Sequence, residues 1–248
     1  FEKNKYNMRP LLLTLPLALV ASCVFAQDHQ TMKKTLSRHL EEVYDVPKAN
    51  WKLKDGQYQV IDDDGHQVVK GAYTNGVKSG IWTYFNSAGA VIQRYDFSHD
   101  TLLYSAADPG SIIHADARII GIVNDSANAH PAYKIGGAEY GFYLLYDERD
   151  IPAQVRSATS PAQMTYVLTI SEKGVLEGYT VIFTGKRIDD ISIHKSVRGL
   201  PHDAYEFAAA TMDGKPVRSQ ISWVVPLDIQ HYDHSVPNYS PTQRTSKN

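Results

Sequence analysis

Ten histidines raise metal chemistry first, because imidazole and carboxylate side chains at short spacing are common zinc ligands. The tightest cluster is His231-Tyr-Asp233-His234. It lies in a polar stretch with no second pair at ligand spacing, so it reads as a solvated tail. His114-Ala-Asp116 puts two titratable side chains on one face of an expected strand, where a surface pair accounts for them. His194 falls near the apolar stripe of an expected helix and reads as a core or boundary histidine. Asp62-Asp63-Asp64-Gly65 has the carboxylate density of a calcium loop. It lacks the later spaced ligands and the closing glutamate, so a hairpin turn explains it. There is no Gly-x-Ser-x-Gly elbow, phosphate-binding glycine loop or paired carboxylate box. No catalytic residue, cofactor or metal is therefore assigned.

The remaining chemistry is backbone pairing, and the end of the chain is written for it. Val217, Ile221, Trp223, Val225, Leu227 and Ile229 share one parity, with Ser219 breaking the run. Arg218, Gln220, Ser222 and Asp228 share the other. A period of two describes a strand with one buried face, and Asp213-Gly214 supplies a turn before it. An edge strand presents unpaired N–H and C=O groups to an extended peptide. Residues 207–217, which lead into this strand, resemble the W-x-P-A-x-x-N-G-K-P-V of the TonB C-terminal domain family, and that resemblance implies that Val217, Arg218, Ser219, Gln220, Ile221, Ser222, Trp223 and Val224 form such an edge. Pro226 cannot donate to a ladder, which suits an edge position or simply a strand end.

Composition sets the frame for these elements. The 248 residues suffice for one or two domains, and 25 basic against 27 acidic side chains leave no basic stripe for nucleic acid. Lys3, Lys5 and Arg9 precede an apolar run over 11–26 that is broken by Pro16, and Met8 offers an alternative start. As a helix the run would span about 24 Å, short of the ~30 Å hydrocarbon core. A charged start, a short apolar core and small residues at its end read as an export signal over 1–26. Two cleavage sites compete. Val24-Phe25-Ala26 before Gln27 suits ordinary signal peptidase, and Val20-Ala21-Ser22 before Cys23 resembles a bacterial lipoprotein box. In the second case Cys23 carries lipid and tethers the protein to a membrane, the one membrane contact expected. Cys23 is the only cysteine, so cleavage after Ala26 would leave neither disulfides nor a thiol nucleophile.

Past the signal, Met32, Leu36, Leu40 and Val43 fall at spacings of 4, 4 and 3, which predicts a helix and linker over 27–50. Residues 51–104 repeat with a period of 24. Gly56-x-Tyr58-x-Val60, Gly65 and Val68 recur as Gly80-x-Trp82-x-Tyr84, Gly89 and Ile92. Each unit reads as a hairpin. The stretch Gly71-Ala-Tyr-Thr-Asn-Gly-Val-Lys-Ser-Gly-Ile-Trp-Thr-Tyr-Phe resembles a MORN-type repeat, which implies stacked hairpins. Residues 105–130 contain a connecting strand and a loop, and 231–248 form a polar tail.

The segment 131–230 resembles the TonB C-terminal domain family. Pro131-Ala-Tyr-Lys-Ile-Gly136-Gly137 is similar to its P-x-x-x-G-G lead-in, and Ile151-Pro152 stands where the family has Tyr-Pro. Alternation over 163–170 and 175–183 forms a hairpin around Ser171-Glu-Lys-Gly174. Residues 188–200 look like the family's helix, and 207–217 align with W-x-P-A-x-x-N-G-K-P-V. The sequence departs from the pattern at Val155, Ala162, Phe207 and Ala209, mostly conserving apolar bulk. The expected fold is α+β: an N-terminal helix, MORN-like antiparallel hairpins, and a TonB-like domain with a three-stranded antiparallel sheet and packed helices.

The resemblance implies an exported, non-catalytic, periplasmic or envelope-associated protein. It would bind an envelope protein or peptide by strand addition, and an outer-membrane transporter is one such partner. A TonB-type energy transducer is the alternative. Against it, the apolar run lacks a histidine and no Pro-rich spacer follows. An enzyme with an unrecognised site is the third reading. The sequence does not specify an oligomeric state.

Overall fold

The computed structural model describes residues 28–107, 111–120, 128–158 and 160–227. The export segment, Cys23 and the His231–His234 cluster lie outside them. Two antiparallel sheets and a helix between them make the core. The first sheet is a seven-stranded meander in chain order. Its strands are β1 (His29–Thr35), β2 (Leu40–Pro47), β3 (Gly56–Asp62), β4 (Gln67–Thr74), β5 (Val77–Phe85), β6 (Val91–Asp96) and β7 (Thr101–Ser105).

The N-terminal helix expected over 27–50 is absent; β1 and β2 form a hairpin there. The 4, 4, 3 spacing was ambiguous, because Leu40, Glu42, Tyr44 and Val46 also alternate. Pairing of β2 with β3 decides in favour of the strand. Leu40, Glu42 and Val46 are buried there, and the β-branched and aromatic residues suit a pleated surface. Glu42 is held by Lys54 (2.5 Å) and the Tyr58 hydroxyl (3.1 Å). The Lys54 ammonium in turn sits 4.7, 4.8 and 5.1 Å from the ring centroids of Tyr44, Tyr58 and Tyr73, a cation–π enclosure.

Tyr58, Tyr73, Trp82 and Phe97 pack mostly edge-to-face across the inner face of the meander, with neighbouring centroids 5.0–5.4 Å apart. Gly71 makes room for this packing, since a Cβ there would lie 2.3 Å from the Trp82 ring.

The second sheet has five strands in the order β13-β12-β11-β17-β8. These are β8 (His114–Ile119), β11 (Ala162–Ile170), β12 (Leu176–Gly185), β13 (Ile188–Lys195) and β17 (Ser219–Leu227). The expected three-stranded sheet is therefore enlarged on both sides. The helix predicted over 188–200 is strand β13, in which Ile191 and Ile193 sit two apart and pair with β12. His194 consequently lies on an exposed strand face and meets Thr180 at 2.8 Å; it is not a core histidine. Short strands complete the fold: β9 (Ala129–His130), β10 (Tyr133–Lys134), β14 (Phe207–Ala208), β15 (Ala210–Met212) and β16 (Lys215–Val217). The described residues are thus mostly β, with only two α-helices, α1 (Gly137–Leu145) and α2 (Ala153–Arg156). The α+β assignment with packed helices is corrected accordingly.

Helix α1 begins at Gly137, after Gly136 at its N-cap; both are at positive φ, where a side chain would be strained. It joins the two sheets. Tyr140 packs on Tyr84 of β5, with centroids 5.7 Å apart. Phe142 meets Tyr166 of β11 edge-on at 5.6 Å. Gly141 lets Trp223 of β17 approach, since a Cβ there would be 2.4 Å from its ring.

Candidate functional site

The residues expected to bind a peptide are not at an edge. Val217 ends β16, and Arg218 pairs with Glu177 at 2.6 Å. Ser219 to Val224 lie in β17, with β11 on one side and β8 on the other. Along that stretch Ser219 faces Ile119, Gln220 faces Arg118, and Val224 faces His114. The chain itself supplies the strand that a peptide was expected to add. The physical reason is the apolar parity of 114–119: Ala115, Ala117 and Ile119 fall on the same face as the buried Trp223 and Ile221, although Ala115 itself is exposed and Ala117 and Ile119 are half-buried. The edge of the sheet passes to β8.

His114 and Asp116 sit on β8 with Arg118, on the opposite, solvent-facing parity. Neither belongs to a metal-ligand cluster among the described residues. The aspartates at 62–64 form the β3–β4 turn. Asp62 accepts from the backbone N–H groups of Asp64 and His66 at 3.1 and 2.7 Å, so its carboxylate shapes the turn.

Beside β8 lies a cavity of about 450 Å³, within the size range of ligand sites. One wall is Ile92 of β6 and Leu102 of β7; the other is Ala115, Ala117, Ile221 and Trp223. It opens between the edges of the two sheets. Gln93 and Lys134 of its polar lining, which also includes Ser105, Ser111, Asp116 and Tyr133, are already committed. Gln93 accepts from the Gly136 N–H at 2.5 Å and donates to the Lys134 carbonyl at 3.4 Å. The Lys134 ammonium gives its three protons to the carbonyls of Ile135, Asp203 and Glu206 at 2.9, 2.7 and 2.8 Å. Burial lowers Lys134 to about 8, against the pull of Glu206 and Asp203. With every donor used, it neither attacks a substrate nor grips an anion. The cleft offers apolar surface and a strand edge.

β8 presents that edge in a defined phase. The Ile120 N–H bonds the Arg218 carbonyl at 3.2 Å. Antiparallel ladders alternate, so Arg118, Asp116 and His114 turn their backbone groups to β17. Ala115, Ala117 and Ile119 then turn theirs outward, and no strand pairs with them among the described residues. The other outer strands of the two large sheets are β13, β7 and β1. β13 carries Asp189, Asp190 and Lys195, as β8 carries His114, Asp116 and Arg118. β7 departs from regular register against β6 at Arg94/Tyr95, and β1, like β8, has no fully buried residue. What distinguishes β8 is the pair of alanines it turns to the cleft.

The sequence reading missed one cluster. Lys78 of β5 is buried, with its ammonium 2.9 Å from Asp203 and 2.5 Å from Glu206. It also lies over the rings of Trp82 (4.4 Å) and Phe97 (4.8 Å). Tyr140 donates to the second Asp203 oxygen at 2.6 Å, and His202 meets Glu206 at 3.2 Å. Burial acts against every charge here. Even so, Lys78 is held above the ordinary lysine value by Asp203 and Glu206. Asp203 is held below the carboxylate range by Lys78 and Tyr140. His202, Asp203 and Glu206 lie close enough to ligate a cation, but Lys78 already occupies the two carboxylates. Two lysines against two carboxylates leave the cluster neutral, and it fastens the first sheet to the segment before β14. Its sequence signal was faint: a lysine on the aromatic parity of a strand, Lys78 with Trp82 and Tyr84.

No family model, curated protein or solved structure matches this chain.

Proposed function

We propose that the protein is an exported, non-catalytic binding protein of the cell envelope that takes an extended segment of a partner by strand addition along β8. The outward ladder of Ala115, Ala117 and Ile119 beside the apolar cleft carries this reading. Strand addition draws affinity from main-chain hydrogen bonds and specificity from pockets for alternate side chains, and β8 offers both. Residues 1–26 support export by their charge and apolar pattern, and the lead-in at 131–137 and the segment 207–217, which resemble pieces of the TonB C-terminal domain family, favour an envelope partner even though the family's helix is strand β13 here.

Ala117→Pro is the direct test. It deletes an outward N–H and leaves the β17 ladder intact, and proline is tolerated at such edge positions. Wild type should capture a partner from envelope extract that Ala117→Pro loses, and that partner should slow amide exchange at 115, 117 and 119. Equal capture by both chains, without protection of β8, would remove the reading.

A further inference from the structure

The strand-addition reading, on which this inference rests, can be carried to the partner's side chains. Rows of side chains cross the inner face of the five-stranded sheet. One runs Val181, Tyr166, Trp223, Ala115; the next runs Tyr179, Leu168, Ile221, Ala117. Every member of both rows before β8 is large and buried. At β8 both rows end in alanine. The volume missing there opens into the cleft, which Ile92 and Leu102 of the other sheet close from the far side. A strand added to β8 would put the next member of each row into that space. Those two residues would be two apart in the partner's sequence, because alternate side chains share a face.

The residue between them would face the other way, beside Asp116. Arg118 on that face is turned to Gln220, with a guanidinium nitrogen 2.9 Å from its amide oxygen. Asp116 makes no ion pair among the described residues. A cation directly across from it is favoured, and an anion disfavoured.

We infer that the partner is an extended segment of a different protein carrying a large apolar residue, then lysine or arginine, then a second large apolar residue, with the apolar pair seated opposite Ala115 and Ala117. A second copy of this chain fits less well. Pairing β8 with itself about Asp116 sets carboxylate against carboxylate. Pairing it about Ala117 matches Asp116 with Arg118 and sets Ile119 across from Ala115, but puts alanine against alanine at 117, so only one of the two rows gains a large residue.

The test uses the full chain and three synthetic peptides in calorimetric titration, with exchange at β8 as a second readout. The first peptide is Thr-Thr-Phe-Lys-Phe-Thr-Thr. The second replaces both phenylalanines by alanine, and the third replaces lysine by glutamate. The first should bind. The second should bind at least tenfold more weakly, because two aromatic burials are lost. The third should be weaker by about two- to fivefold, the range of an exposed charge pair. Asp116→Lys should reverse the order of the lysine and glutamate peptides, and Ala117→Pro should abolish binding. If the alanine peptide binds as tightly as the first and Ala117→Pro still abolishes it, the side-chain specification is overturned while strand addition stands. If no peptide binds at millimolar concentration and β8 exchange is unchanged, both fall. A concentration-dependent dimer that Ala117→Pro dissolves would make the occupant a second copy and overturn the inference.

Discussion

Replacing Lys78 by methionine should cost the fold more than any other single charge deletion. The substitution keeps the length of an apolar stem over Trp82 and Phe97 and removes only the ammonium. Asp203 and the largely buried Glu206 then face Lys134 and the exposed His202 alone, and the cluster goes from neutral to one uncompensated negative charge. Removing one partner of a buried ion pair costs roughly 3–5 kcal/mol, to which lost cation–π attraction adds about 0.5–2 kcal/mol. For a chain of this size a loss of that order lowers the thermal midpoint by on the order of 10 °C. The pH dependence separates this cause from lost packing. In the wild type the lowered Asp203 and Glu206 contribute stability in full above the ordinary carboxylate range, and lose it as pH falls through their lowered values. In Lys78→Met, burial remains while the chief charge opposing it at Asp203 is gone, so Asp203 should titrate above its unfolded value, while Glu206 keeps its His202 hydrogen bond and should rise less. Protonation then favours the variant fold, and the stability gap should narrow from pH 7 toward pH 4. Urea unfolding of both chains across that range reads the gap directly. Lys33→Met serves as control, since the Lys33–Glu41 pair is well exposed on both sides and should matter little. A gap of less than about 1 kcal/mol, or one that stays constant with pH, would refute the assignment of these charges as an electrostatic fastener.

Three further outcomes follow from the packing. Gly71→Ala should destabilise the chain by about 1–3 kcal/mol through overpacking against the Trp82 ring, read by urea unfolding with the change confined to the midpoint. Gly174→Ala should sharply reduce the yield of folded protein, because Gly174 has φ +70° and its added Cβ would lie 2.1 Å from the Phe207 carbonyl oxygen. Lys134→Met should flatten the alkaline stability profile: with the folded value at about 8 and the ordinary lysine value at 10.5, the unfolded chain binds more protons between them. The wild type therefore gains stability over that interval, a rise that differential unfolding should find missing in the variant.

Strands whose alternation is reinforced by a turn were readable in the sequence. In 162–170 the residues Met164, Tyr166, Leu168 and Ile170 leave no competing helical face, and Ser171–Gly174 fixes the reversal. The segments 29–47 and 188–195 were not, for a common reason. Each holds apolar residues at spacings that fit both periods, and only pairing with a neighbour, β3 or β12, selects the strand. Local propensity cannot see that neighbour. The candidate site was half legible. The sequence located the sheet and its exposed chemistry near 217–224, but placed the edge one strand too far in. Nothing within 219–227 says whether a strand from elsewhere in the same chain will lie beside it; that depends on six residues, 114–119, a hundred positions earlier. Yet those residues also explain why the cleft exists. Two alanines fall on the same face as the buried residues of β17 and are too small to finish it. A sheet that ended there for structural reasons alone would gain from larger side chains at 115 and 117, since filling the cleft would bury more apolar surface at no backbone cost. Small residues on the inward parity of a strand whose outer side no other strand pairs among the described residues are what the proposed extension of the sheet would require.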